Sequence, residues 1–282
     1  MTAARQRAFL AGMIKHVRAY ARSLLIPGIV SGIVSIGLSL AAAHEARALV
    51  GGAAPADGAL ARTVVTIVGS RASFCSGALI APQLVLTAAH CVAAGADYKL
   101  VTFGQNREPR LIDVTRVATH PKFSLQSLNG HRATADVAVL QIAEPLAGSE
   151  AAIVGSPISP IAVGRTFSVY GIGVTTIGDG RTGGSVRRAA LAATGRPGNL
   201  QIRLVDPATD NARAGLGACT GDSGAPVFET QNGQPVIVGV VSWSTGANNS
   251  AGCGGLTGVT PLSLYADWIF LTARHWGVAL TQ

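Results

Sequence analysis

From residue 49 onward the apolar residues come in short continuous or alternating runs, at 64–68, 84–87, 111–117, 137–142, 166–170, 200–205 and 236–242. Clusters of Gly, Pro, Asn and Asp separate them, so each run is bounded by residues that favour turning over further pairing. Short strands at this spacing predict an all-β chain folded as barrels or sandwiches. One segment, 264–276, has helical periodicity, with Leu264, Trp268, Phe270 and Leu271 giving it an apolar face for core packing. The stretch 147–160 is rich in Ala, Gly, Ser and Pro and reads as a crossover between two halves. No internal repeat is visible, and no added binding domain is expected.

Composition alters this picture mainly at the N-terminus. The net charge is +8, from 22 Lys and Arg against 14 Asp and Glu. Residues 1–22 carry Arg5, Arg7, Lys15, Arg18 and Arg22 without an acid, and 24–43 is almost unbroken apolar sequence. A basic stretch followed by an apolar one is the layout of a signal peptide, and this one is also long enough for a signal anchor. Met13 is a second candidate start. Removing 1–48 takes away six basic residues and Glu45, which brings the charge to about +3. The basicity therefore belongs to targeting. No basic stripe with interleaved aromatics follows it, and no nucleic-acid partner is expected. The glycine-rich stretches 178–184 and 254–258 lack a strand-to-helix phosphate context and read as loops.

The densest chemical signal is Cys219-Thr220-Gly221-Asp222-Ser223-Gly224-Ala225-Pro226-Val227. Flanking glycines let the backbone approach a substrate carbonyl closely, and the amides of Gly221 and Ser223 can then aim at one oxygen as an oxyanion hole. By itself this is also ordinary turn composition. A serine nucleophile needs a histidine base and a carboxylate to orient that base. Leu86-Thr87-Ala88-Ala89-His90-Cys91 ends an apolar run in a histidine, and Ala135-Asp136-Val137-Ala138-Val139-Leu140 places an aspartate at the head of another. Alone, His90 would read as a solvated strand end and Asp136 as a cap, as His16, His44, His120, His131 and His275 read as structural. Three unrelated signals in the order His, Asp, Ser outweigh those readings. In that order and on those motifs the chain resembles the trypsin/chymotrypsin-like serine proteases. Phe74-Cys75-Ser76-Gly77-Ala78-Leu79-Ile80, Val169-Tyr170-Gly171-Ile172-Gly173, Ser242-Trp243-Ser244 and the closing helix extend the likeness from residue 49 to the C-terminus.

The resemblance implies two packed six-stranded antiparallel β-barrels with a C-terminal helix. The N-terminal barrel would span 49–150 and the C-terminal barrel 151–282, with the active site in the cleft between them. His90 and Asp136 would come from the first and Ser223 from the second. Four cysteines in an exported chain suggest two disulfides, for which three pairings exist, and the resemblance selects Cys75–Cys91 and Cys219–Cys253. No close Cys or His pair has zinc-ligand spacing, so neither metal nor organic cofactor is expected.

Leu49-Val50-Gly51-Gly52 resembles the new N-terminus that, in this family, inserts its ammonium beside the aspartate before the serine, here Asp222. A buried carboxylate without a partner is costly, and such an ammonium would compensate it and order the Gly221 and Ser223 amides. The preceding residue departs from the family pattern, since Ala48 separates Arg47 from Leu49. Ala46-Arg47-Ala48 instead has the small-x-small form of a signal peptidase site, which makes export and activation one cleavage. Ala41-Ala42-Ala43 is the competing site and would leave a propeptide at 44–48.

By the same resemblance Gly217 forms the floor of the primary pocket, where an aspartate would select Arg or Lys. Gly258 lies on one wall and Ser244 replaces the usual glycine on the other. A deep, uncharged pocket favours aromatic or large aliphatic side chains. Narrowing by Ser244 and the long 245–252 loop would instead admit small ones. The edge at Ser242, Trp243 and Ser244 would pair with an extended substrate. The expected protein is a secreted or periplasmic monomeric endopeptidase acting on polypeptides and open to protein inhibitors, with membrane contact only during export. The competing classes are a catalytically silent binding protein and a membrane-anchored protease.

Overall fold

Two strands explain how the chain builds its architecture. β1 (Ala54–Pro55) and the short helix α1 (Gly58–Thr63) lead into the first barrel, made of β2 (Val64–Gly69), β3 (Phe74–Ala81), β4 (Leu84–Thr87), β5 (Tyr98–Phe103), β6 (Pro109–Thr119) and β7 (Ala138–Ile142). Within this barrel β4 and β7 are buried on both faces. Val85, Leu140 and Ile142 point into the barrel core with Ile67, Leu79 and Leu100. Leu84, Leu86 and Val139 point the other way and pack with Tyr170, Phe228, Ile237 and Ile269 from the second half. A strand covered on both sides has no solvent face to alternate with, so its sequence reads as continuous apolar residues. These are the two runs that deliver His90 and Asp136.

The computed structural model describes residues 49–103, 108–130, 132–194 and 200–281; the expected targeting segment 1–48 and His131 lie outside them. The first barrel is closed and antiparallel, in the order β2-β3-β4-β7-β6-β5. The second half contains β8 (Ile153–Val154), β9 (Thr166–Gly171), β10 (Arg187–Ala193), β11 (Ile202–Val205), β12 (Pro226–Gln231), β13 (Gln234–Ser244) and β14 (Thr257–Pro261). Pairing runs β10-β11-β14-β13-β12-β9, and β9 returns to β10, which closes a second six-stranded barrel. β1 attaches to its β10 edge and β8 pairs in parallel with β13, inside the stretch expected to be plain crossover.

Two differences from the sequence expectation concern helices. Besides α1, a second short helix, α2 (Leu125–Asn129), forms in the chain expected to hold only the closing helix, with Ser124 Oγ accepting from Ser127 N at 3.1 Å as its cap. The closing helix α3 (Ala266–His275) is present. Its buried residues are Ile269 and Ala273, while Leu264 and Leu271 are exposed. The buried stripe is thus Tyr265, Ile269 and Ala273 at a spacing of i, i+4, i+8. Trp268 joins it at the margin, edge-on to His120 at 5.0 Å, with Tyr265 against the same ring at 4.9 Å. His120 N donates to Val137 O, so the closing helix braces the segment that carries Asp136.

Candidate active site

His90 sits in the 3-10 turn Ala89–Val92, directly after β4. Its Nδ1 is 2.7 Å from Asp136 Oδ2, and its backbone N donates to Asp136 Oδ1 at 2.9 Å. Both carboxylate oxygens are thereby engaged by one residue, which fixes the ring plane and assigns the Nδ1 proton to Asp136. A third donor is the hydroxyl of Ser242, which bonds Asp136 Oδ2. Asp136 is fully buried, so these donors replace its lost hydration. Ser242 was expected on the substrate edge; it is buried, and its side chain serves the carboxylate.

Ser223 lies across the cleft in the turn before β12. His90, Ser223, Gly221, Thr220, Ser244 and both disulfides line one open cleft of about 490 Å³. Ser223 Oγ and the His90 ring face this space without a hydrogen bond between them among the described residues. Such contacts often tighten only when substrate is bound. Gly221 has φ +95°, and a Cβ there would stand 2.5 Å from Phe74 Cε1, so glycine is required by conformation and by space. Among the described residues the amides of Gly221 and Ser223 donate to no acceptor. They are left available in the way an oxyanion hole requires.

The turn that carries Ser223 is held to the first barrel by Ser76, a residue to which the sequence alone assigns no role. Ser76 N donates to Ser223 O at 2.8 Å, and Ser76 Oγ donates to Gly221 O at 2.8 Å while accepting from Ile172 N at 3.2 Å. Thr87 Oγ1 donates to Ser76 O at 2.8 Å. Ser76 thus ties the two halves of the site together. No local signal marks it, because its partners lie far along the chain.

Asp222 points away from the cleft and is fully buried. Its carboxylate accepts from Gly173 N at 2.8 Å and from Cys219 N at 2.9 Å. Burial pushes its pKa up to about 7, against the lowering effect of the Cys219 and Gly173 amides. In this uncut chain Leu49 is joined to Ala48 and carries no free ammonium. Its side chain is fully buried in the second barrel's core with φ +55°, and Val50 N donates to Gly217 O at 3.1 Å. The expected activation segment is therefore attached directly to the expected pocket floor.

Cys75 pairs with Cys91 and Cys219 with Cys253, the combination the resemblance implies. The sulfurs of Cys75 and Cys91 lie close to His90, but a disulfide offers no thiolate, so this group makes no metal site. Gly217 and Gly258 are buried, Ser244 lines the cleft, and the indole of Trp243 lies against Gly258.

Two closed antiparallel six-stranded barrels, with a histidine-carboxylate pair from one facing a serine turn from the other, define the chymotrypsin-like fold of serine proteases. The trypsin family model matches residues 49–269, and the chain belongs to that family. It is similar to the vitellin-degrading protease of Bombyx mori, at 29% identity over 227 residues, covering 72% of this chain and 78% of the relative. A trypsin-family domain with two disulfides suits an extracellular protein. No described helix is long and apolar enough to cross a membrane.

Proposed function

We propose that this chain is an exported serine endopeptidase that works through Ser223, His90 and Asp136. The observation that carries the reading is the His90–Asp136 pair at 2.7 Å, set in one cleft with Ser223 and the unbonded amides of Gly221 and Ser223. Asp136 holds Nδ1 protonated, which leaves Nε2 as the base. Ser223 Oγ attacks the substrate carbonyl while its proton passes to Nε2. The carbonyl oxygen becomes an oxyanion held by the two amides, the C–N bond breaks, and the leaving amine takes the proton from Nε2. Water then repeats the sequence on the acyl-enzyme and frees Ser223.

An uncharged floor at Gly217 leaves no partner for Arg or Lys, and the reading is of an apolar primary pocket for aromatic or large aliphatic side chains. Substrates are extended polypeptides laid along Trp243 and Ser244, and substrate-like protein inhibitors fit the same cleft. Residues 1–48 direct export, and cleavage before Leu49 frees an ammonium for Asp222. The test is reaction with a fluorophosphonate. Disulfide-bonded protein is expected to label at Ser223 and to hydrolyse peptide amides. Ser223→Ala should abolish both, lowering kcat by roughly 10³-fold or more. Cut, folded protein that stays unlabelled would sink the reading.

A further inference from the structure

Each carbonyl from Thr220 to Ser223 accepts a hydrogen bond. Thr220 O takes Val174 N at 2.8 Å, Asp222 O takes Ala225 N at 2.9 Å and Ser223 O takes Ser76 N at 2.8 Å. Gly221 O takes Ser76 Oγ at 2.8 Å. A trans peptide is planar, so its N–H points opposite its C=O. Holding Thr220 O therefore aims the Gly221 N–H away from Val174, and holding Asp222 O aims the Ser223 N–H in the same manner. These are the two amides that donate to no acceptor among the described residues. The peptide between them, Gly221–Asp222, sets how the two N–H groups stand to one another.

That middle peptide has little restraint of its own. Gly221 has φ +95°, and glycine turns about its backbone bonds at low steric cost. Among the described residues its carbonyl is held by the Ser76 hydroxyl, and of the four donors just named this one alone is a side chain. The hydroxyl is itself oriented. Ile172 N donates to Ser76 Oγ at 3.2 Å, which engages a lone pair and leaves the O–H proton for Gly221 O. Ser76 lies on β3 of the first barrel and is fully buried, so solvent does not compete for either bond.

We infer that Ser76 is a positioning residue for the oxyanion hole, whose hydroxyl holds the Gly221–Asp222 peptide so that the Gly221 and Ser223 amides converge on one oxygen. The inference rests on the serine-protease reading and names a residue outside the triad on which its rate depends. Ser76 acts through those amides, and what it supports is the charge that develops on the carbonyl oxygen in the tetrahedral intermediate. Losing the hydroxyl therefore lowers kcat for amide substrates by about tenfold and leaves KM nearly unchanged.

A peptidyl trifluoromethyl ketone, labelled with 13C at the ketone carbon, reads the oxyanion directly. Its carbon bonds Ser223 Oγ to give a hemiketal, whose ionisation with pH is followed by the 13C shift. In disulfide-bonded Ser76→Ala the adduct should still form, but the hemiketal should ionise about tenfold less readily, with an apparent pKa about one pH unit above that of the wild-type adduct. A merely structural role would change how much adduct forms and leave that pKa alone. Ser76→Gly removes the same hydroxyl without leaving a methyl beside Gly221 O, and the same rise is expected. An adduct pKa equal to the wild type's in either folded variant would overturn the inference alone. Folded, cut wild-type protein that forms no adduct would refute the serine-protease reading and the inference with it.

Discussion

Asp222 is the residue whose chemistry depends most on the state of the chain. Its ordinary carboxylate pKa of 3.8 is raised to about 7 in the folded, uncut protein by burial. Between those values the folded state binds a proton that the unfolded state does not, so stability falls as pH rises. The contribution is fully present below about pH 4 and lost as pH climbs through about 7, at no more than about 1.4 kcal/mol per pH unit. Uncut Ser223→Ala protein should therefore lose thermal stability across that window, and adding Asp222→Asn should flatten the profile; Tm against pH measures both. Ser242 offers a second test at this scale. Ser242→Ala removes a hydroxyl donor from the buried Asp136, and a bond to a charged group at such a site is worth about 1.5–3 kcal/mol. The expected loss in kcat/KM is roughly ten- to hundredfold with the fold retained, checked by steady-state kinetics and circular dichroism.

At the scale of elements, legibility tracks how far a strand's neighbours impose a pattern on it. β4 and β7 read directly from the sequence because burial on both faces makes them continuous apolar runs. β10 and β12 escaped notice, since Arg187 and Glu229 are buried polar residues inside them and break the apolar pattern. Arg187 Nη1 reaches Ala53 O at 3.0 Å, and Glu229 Oε2 accepts from Gln231 Nε2 at 2.8 Å and from Ile158 N at 3.3 Å. Glu229 also pairs with Arg165, and apart from Gln231, two residues on in the same strand, these partners lie far along the chain. The closing helix is legible as a helix, and Trp268 and Phe270 of its expected face pack against the core, whereas Leu264 and Leu271 are exposed and the fully buried positions are the smaller Ile269 and Ala273. Ile269→Ala should cost about 2–5 kcal/mol of unfolding free energy. Leu271→Ala, at an exposed position, should stay within about 0.5 kcal/mol. Urea denaturation of the two variants decides this.

For the molecule as a whole, the connection between Leu49 and the second barrel matters most. The Leu49 side chain already fills that core, and Val50 is bonded to Gly217, so cleavage before Leu49 would release a terminus beside the loops it must order. Active protein is expected to begin at Leu49 by N-terminal sequencing. Uncut protein carrying the same peptide bond should be slower toward amide substrates, with the gap closing on cleavage. A different terminus on fully active enzyme would refute the single-cleavage route.

The sequence by itself determined the family and the places of the three residues proposed for its chemistry. His90, Asp136 and Ser223 sit at the ends of runs whose patterning is local, and glycines at a tight nucleophile turn are required by local backbone geometry. The cysteine pairing followed from the family resemblance. Only the tertiary structure decided what surrounds those residues: Ser76 latching the Ser223 turn, Ser242 bonding Asp136, and Trp243 lying on Gly258. Each of these depends on two segments meeting in space. A serine or tryptophan on a strand carries no local mark of which partner the fold will bring to it.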